Sequence, residues 1–89
     1  MAIKIQRSKK FKKQFKKLNP SIQKKTIQCL ILFAENQSHE SLNNHKLKGE
    51  YLGCHSINIT GDVRAIYEEM VENVYVFIAI GTHHQLYGK

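Results

Sequence analysis

Tryptophan is absent from this 89-residue chain, proline occurs once (Pro20) and cysteine twice (Cys29 and Cys54). Two cysteines with no C-x-x-C pair exclude a disulfide scaffold and lead to the expectation of a reducing, cytoplasmic setting. Long apolar runs are also missing. The longest, Cys29–Ala34 and Val74–Ile80, fall far short of the roughly 20 residues that a membrane helix needs. The basic N-terminus lacks the apolar stretch of a secretory signal, so no membrane partner is expected. Hydrophobic residues still make up 42% of the chain, which excludes wholesale disorder. A chain this short builds one core, and residues 1–89 are expected to form a single domain.

The most telling absence is of acid. No Asp or Glu precedes Glu35, whereas ten basic residues do: Lys4, Arg7, Lys9, Lys10, Lys12, Lys13, Lys16, Lys17, Lys24 and Lys25. The rest of the chain sets four basic residues against seven acids, a balance of −3 within a total of +7. A few scattered lysines would merely keep a surface solvated, but ten with no acid among them point to a polyanionic partner.

Hydrophobic periodicity supplies the fold class. Ala2–Gln6 alternates and predicts a short strand. Ser8 is placed to cap a first helix with Phe11, Phe15 and Leu18 on one stripe. Asn19-Pro20 reads as a second cap with proline at the first helical position. The following helix runs to about Asn36 and is expected to bury Ile22, Thr26, Cys29, Leu30 and Phe33, with Ile27, Ile31 and Ala34 widening the stripe. Asn36–Asn44 is polar and aperiodic and reads as a loop, after which His45 begins a candidate strand. Beyond it the period becomes two: Cys54–Ile59 and Val63–Met70 read as strands, and Val74–Ile80, apolar on both faces, as a strand in mid-sheet. Short connections make the last three an antiparallel meander. The expected fold is α+β, β-α-α-β-β-β, with a helix hairpin packed on one face of a small, mainly antiparallel sheet. The other face, carrying Ser56 and Asn58, is expected to stay partly open beside the basic helices, where a polyanion would bind.

Four features carry chemistry: the segment His45-Lys46-Leu47-Lys48-Gly49, Asp62 with Arg64, the Gly81-Thr82-His83-His84 turn, and Tyr87. None has metal-ligand spacing, and there is neither a nucleophile elbow nor a glycine-rich phosphate loop, so no metal or cofactor is expected. Acid–base work on a phosphodiester does fit. Cleaving RNA needs a base for the 2′-hydroxyl, an acid for the leaving 5′-oxygen and a cation over the phosphorane. Histidine, with an unperturbed pKa near neutrality, suits the first two tasks, and the planar arginine fork suits the third. His45, Asp62, Arg64, His83 and Tyr87 are the candidate catalytic residues. Each has a plainer reading too: a surface histidine at His45, a turn-former at Asp62, a tail-docking ring at Tyr87. His55 reads as a structural or rim residue, and His84 has no assigned task.

Taken together, the element order, the His45–Gly49 segment, the strand opening Asp62-Val-Arg-Ala-Ile-Tyr67 and the terminal Gly81-Thr-His-His-Gln-Leu-Tyr-Gly88 resemble the RelE/ParE superfamily of bacterial toxins, most nearly its YafQ-like branch. The resemblance covers essentially the whole chain. It implies a toxin of a type II toxin–antitoxin pair that cleaves mRNA in the ribosomal decoding site, metal-independently, using the RNA's own 2′-hydroxyl. It also implies a cognate antitoxin, typically encoded beside the toxin, that covers or distorts the site. Residue by residue, His45, Asp62, His83 and Tyr87 match the family's site positions, and Arg64 matches the phosphate-contacting arginine of the wider superfamily. His83 is then the general acid, with His45 or Asp62 as base. Lys9, Lys10, Lys12, Lys13, Lys16 and Lys17 would dock ribosomal RNA, with Lys46, Lys48 and Asn58 as further RNA contacts. Asn58 stands where YafQ-like sequences commonly carry another histidine; an amide cannot transfer a proton near neutral pH and can only position substrate. The competing readings are a ParE-like inhibitor of DNA gyrase, a catalytically decayed family member, and a nucleic-acid-binding module that uses only its basic helices.

Overall fold

The computed structural model describes residues 3–88. In chain order it contains strand β1 (Lys4–Arg7), helices α1 (Lys9–Lys16) and α2 (Pro20–Glu35), a one-turn 3-10 helix (Glu40–Leu42), strand β2 (His45–Lys46) and a second 3-10 turn (Gly49–Tyr51). Strands β3 (His55–Asn58), β4 (Val63–Val71) and β5 (Val74–Thr82) and a short helix α3 (His83–Tyr87) complete it. The expectation of a strand from Ala2 holds over Lys4–Gln6, and Ala2 itself lies outside the described residues.

The sheet runs β1-β5-β4-β3-β2. β1 pairs in parallel with β5, and the other three pairings are antiparallel. Both helix starts follow from their caps: the Ser8 hydroxyl accepts from the Phe11 amide at 3.1 Å and the Asn19 carboxamide from the Ile22 amide at 3.0 Å. These bonds satisfy donors that the first turn leaves free. Pairing of β1 with β5 ends at Arg7 opposite Phe77. From there α1 takes over the strand edge, as the Ser8 hydroxyl donates to the Ile78 carbonyl and Gln14 Oε1 accepts from the Ile80 amide.

One sheet face holds the main core. Phe33 of α2 is fully buried and meets Tyr67, Phe77 and Tyr75 edge-on at ring-centroid distances of 4.9, 5.3 and 5.4 Å. Phe11 of α1 meets Phe77 at 6.0 Å. The buried side of α2 is narrower than its apolar content predicts. Thr26, Cys29 and Phe33 are buried, but Ile27 and Ile31 stand 52% and 58% exposed, and Ala34 is exposed as well. A helix in a two-layer arrangement buries only the stripe over the sheet, so an i, i+4 pair turned from it stays in water.

The loop expected at Asn36–Asn44 contains the 3-10 turn, which exists to bury Leu42 completely. The second sheet face is less open than expected. Leu86 of α3, with Tyr51, Leu47 and Tyr87, covers Cys54, Ile66 and Ala79, and Ser56 is buried beneath them. Among the described residues no helix is long and apolar enough to cross a membrane.

Candidate functional site

A hollow of about 200 Å³ opens on this second face, lined by His45, Leu47, Ser56, Arg64, His83 and Tyr87. Four residues singled out from the sequence thus meet in one place, and the ladder explains why. His45 lies opposite Ser56, Asn58 opposite Arg64, and Arg64 opposite Gly81. Directly paired residues share a face, so His45, Ser56, Asn58 and Arg64 all belong to the side that α3 partly covers.

Each group is held differently. Asn43 adopts a left-handed conformation (φ 46°) at the end of the 3-10 turn, which asparagine tolerates better than most residues. Its carbonyl lies 2.7 Å from His45 Nδ1. Only a protonated Nδ1 can donate there, so Nε2 keeps the lone pair of the neutral ring. Arg64 is half-buried, with Nη1 donating to the carbonyls of Thr60 at 3.0 Å and Gly61 at 3.2 Å. The turn therefore grips one nitrogen of the fork and leaves Nε and Nη2 for a ligand.

His83 opens α3 through a capping box. The Gln85 amide donates to the Thr82 hydroxyl at 3.1 Å, and the Thr82 amide to Gln85 Oε1 at 2.8 Å. Gly81 leaves room for this arrangement, since a Cβ on it would stand 2.9 Å from Gln85 Oε1 and push that amide aside. The His83 ring lies 4.6 Å from that of Tyr87, and Tyr87 packs edge-on against Tyr51 at 5.7 Å. Burial, reinforced by the Glu50 carboxylate, pushes the Tyr51 hydroxyl up, so it stays protonated and donates to the Leu86 carbonyl at 3.2 Å. Tyr87 thus both docks the tail and walls the hollow.

Asp62 is placed differently from the other candidates. It is exposed in the β3–β4 turn, and its side chain does not line the hollow. Its carbonyl accepts from the His83 amide at 3.2 Å, so its link to the site runs through the backbone. The turn itself is organised by Thr60, whose hydroxyl accepts from the amides of Asp62 and Val63. Asn58 is half-buried, and its Oδ1 is shielded from solvent without a hydrogen-bond partner among the described residues.

Lys9, Lys10, Lys12, Lys13, Lys16, Lys17, Lys46 and Lys48 are all exposed, as is His84. His55 lies outside this hollow, on the other face, stacked on Tyr67 at 5.2 Å. Leu47 and Ser56 are wall residues that chemistry-bearing type could not flag; the alternation of β3 was the only signal for Ser56.

Comparison with solved structures defines the class: the fold is that of RelE/ParE-like toxins. YafQ from E. coli strain BL21(DE3) superposes with a TM-score of 0.76 at 22% identity, over 97% of this chain and 99% of that one. The E. coli DinJ–YafQ toxin–antitoxin complex gives 0.76 at 23% identity, covering 99% of this chain and 100% of the matched one. A YoeB/ParE toxin from Agrobacterium tumefaciens gives 0.74 at 15% identity, covering 91% and 99%. Sequence comparison with curated proteins returns no match. The family model described as bacterial toxin of type II toxin–antitoxin system, YafQ, matches residues 3–88. The chain belongs to the YafQ family of type II toxins.

Proposed function

We propose that this toxin is a ribosome-dependent endoribonuclease that cleaves mRNA by metal-independent acid–base catalysis. The observation that carries the reading is the convergence of His45, Arg64, His83 and Tyr87 on one hollow. His45 Nε2 takes the proton of the 2′-hydroxyl, and the 2′-oxygen attacks the adjacent phosphorus. The bond to the 5′-oxygen breaks as His83 delivers a proton to it, leaving a 2′,3′-cyclic phosphate and a 5′-hydroxyl. Arg64 stabilises the charge that accumulates on the phosphorane oxygens. Tyr87 positions the nucleotide, and Asn58, opposite Arg64 in the ladder, stands beside the phosphate clamp. Asp62 serves as a backbone support for His83.

The exposed lysines of α1, with Lys17, Lys46 and Lys48, bind ribosomal RNA through its phosphates without reading sequence. The protein acts in the cytoplasm, where translating ribosomes are, and a cognate antitoxin restrains it. The DinJ–YafQ complex supports such a partner, and an antitoxin surface that meets the basic α1 is acidic.

The test is cell-free translation with purified protein, mapping mRNA 5′-ends with and without ribosomes, wild type beside His83→Ala. Cuts that require ribosomes and vanish in a folded His83→Ala protein are expected. Intact mRNA with folded wild-type protein would overturn the reading and favour a ParE-like inhibitor of gyrase.

A further inference from the structure

A second and larger hollow, of about 660 Å³, lies beyond β2 on the helix side of the sheet, and the reaction proposed above makes no use of it. His45 walls both hollows. We propose that the larger one is a nucleobase subsite, receiving the base next to the cleaved phosphate; this rests on the endoribonuclease reading.

The hydrogen-bonding groups here are oriented in advance. Tyr75 donates to Gln37 Oε1 at 3.3 Å and Tyr67 to Asn44 Oδ1 at 3.0 Å. The Gln37 backbone carbonyl can only accept, so Asn44 turns Nδ2 toward it and Oδ1 toward Tyr67, while Gln37 faces the Tyr75 hydroxyl with Oε1. Asn44 Nδ2 spends one hydrogen on the Gln37 carbonyl at 3.1 Å and keeps the other, while Gln37 Nε2 has no partner among the described residues. Two preset amide donors call for a ligand with acceptors. His55, stacked nearly parallel on Tyr67 (14° between planes), adds a flat wall and has a solvent-shielded Nδ1 atom without a partner among the described residues. Such a group is costly to leave unsatisfied.

Charge narrows the ligand class further. Lys46 is the only Lys or Arg among the described lining residues, beside three histidines and against Glu40 and Glu69, so the lining is not the lysine- and arginine-rich cradle that holds a free anion. A planar, neutral ring with nitrogen or carbonyl acceptors fits, and every nucleobase is one. A phosphate in the small hollow leaves its neighbouring nucleotide a short step across His45 and β2, with Lys46 exposed beside the path.

The experiment has two arms. First, nitrogen-15-labelled protein is titrated with AMP, GMP, CMP and UMP while the side-chain amide signals of Gln37 and Asn44 are followed. Saturable shifts are expected with at least one nucleotide in the millimolar range, and their loss in Gln37→Glu, which keeps the acceptor for Tyr75 but deletes the donor. Second, ribosome-dependent cut sites are mapped for wild type, Gln37→Glu and His55→Phe, the last preserving the stack without ring nitrogens. The relative use of sites is expected to redistribute by about tenfold. No saturable shift together with an unchanged cut pattern would overturn the subsite while leaving the endoribonuclease standing. Shifts at Gln37 and Asn44 with a wild-type protein that cuts nothing would keep the base site and sink the endoribonuclease.

Discussion

His45→Ala separates a catalytic base from a surface histidine. The 2.7 Å contact between His45 Nδ1 and the Asn43 carbonyl orients the ring so that its neutral form presents the Nε2 lone pair, in a hollow it shares with Arg64 and His83. Removing a positioned base costs about 10²–10⁴-fold in rate, equivalent to roughly 3–5 kcal/mol of transition-state stabilisation. Folding should barely change, because the side chain is exposed on a two-residue edge strand. The assay is single-turnover cleavage of an mRNA on programmed ribosomes, with free imidazole added in a second series. Since truncation vacates the hollow beside Leu47 and Ser56, imidazole should restore part of the lost rate in His45→Ala. A folded His45→Ala protein that cuts within about fivefold of wild type would refute the assignment, and so would a loss traced entirely to weaker ribosome binding.

Three further perturbations test the rest of the construction. In Gly81→Ala the new Cβ meets Gln85 Oε1 at 2.9 Å, displacing the side chain that caps the Thr82 amide; thermal denaturation should show a loss of about 0.5–2 kcal/mol, with cleavage falling because His83 opens that helix. Phe33→Ala removes a ring packed against three others, for about 3–5 kcal/mol by urea denaturation. That is a large share of the roughly 4–13 kcal/mol available to a chain this long, and a change under about 1 kcal/mol would contradict the packing described. Burial pushes both thiols up, with Glu68 adding to the effect at Cys54 and Lys25 opposing it at Cys29. Less thiolate at mildly alkaline pH means that alkylation should be slow in the native protein and fast after unfolding; labelling of native protein at the unfolded rate would show that the sites open.

What the sequence disclosed depended on the range of the signal. The starts of α1 and α2 are local, since Ser8 and Asn19-Pro20 each satisfy donors three residues away, and both are as expected. The buried side of α2 is not local. Ile22, Ile27, Leu30 and Ile31 are equally apolar in the sequence, and only the single layer of sheet beneath decides that Ile27 and Ile31 face water. β2 has no period to detect in two residues, and exists because β3 offers it a partner opposite His55 and Ser56. α3 is likewise too short for a stripe; its signal was the Thr82-x-x-Gln85 spacing of a capping box, which read as part of a turn. His45, Arg64 and His83 were legible as strand-end groups and through the family resemblance. The outward placement of the Asp62 side chain was not, because a turn residue's direction depends on which neighbour, here Thr60, takes the hydrogen bonds.

The two faces of the sheet divide the work, and tyrosine hydroxyls join them. The Tyr67 ring is buried with Phe33 and Phe77, yet its hydroxyl reaches Asn44, the residue before His45. Burial pushes that hydroxyl up, so it remains a donor throughout the neutral range. The Tyr75 hydroxyl donates to Gln37 Oε1 at 3.3 Å, at the start of the connection. The segment from Gln37 to Asn44 is thus pinned at both ends to core strands, with Leu42 sunk between them. An edge strand of two residues could not hold a side chain in place by its own ladder. It can do so here because the chain that delivers His45 is anchored in the aromatic core, on the face of the sheet opposite the small hollow.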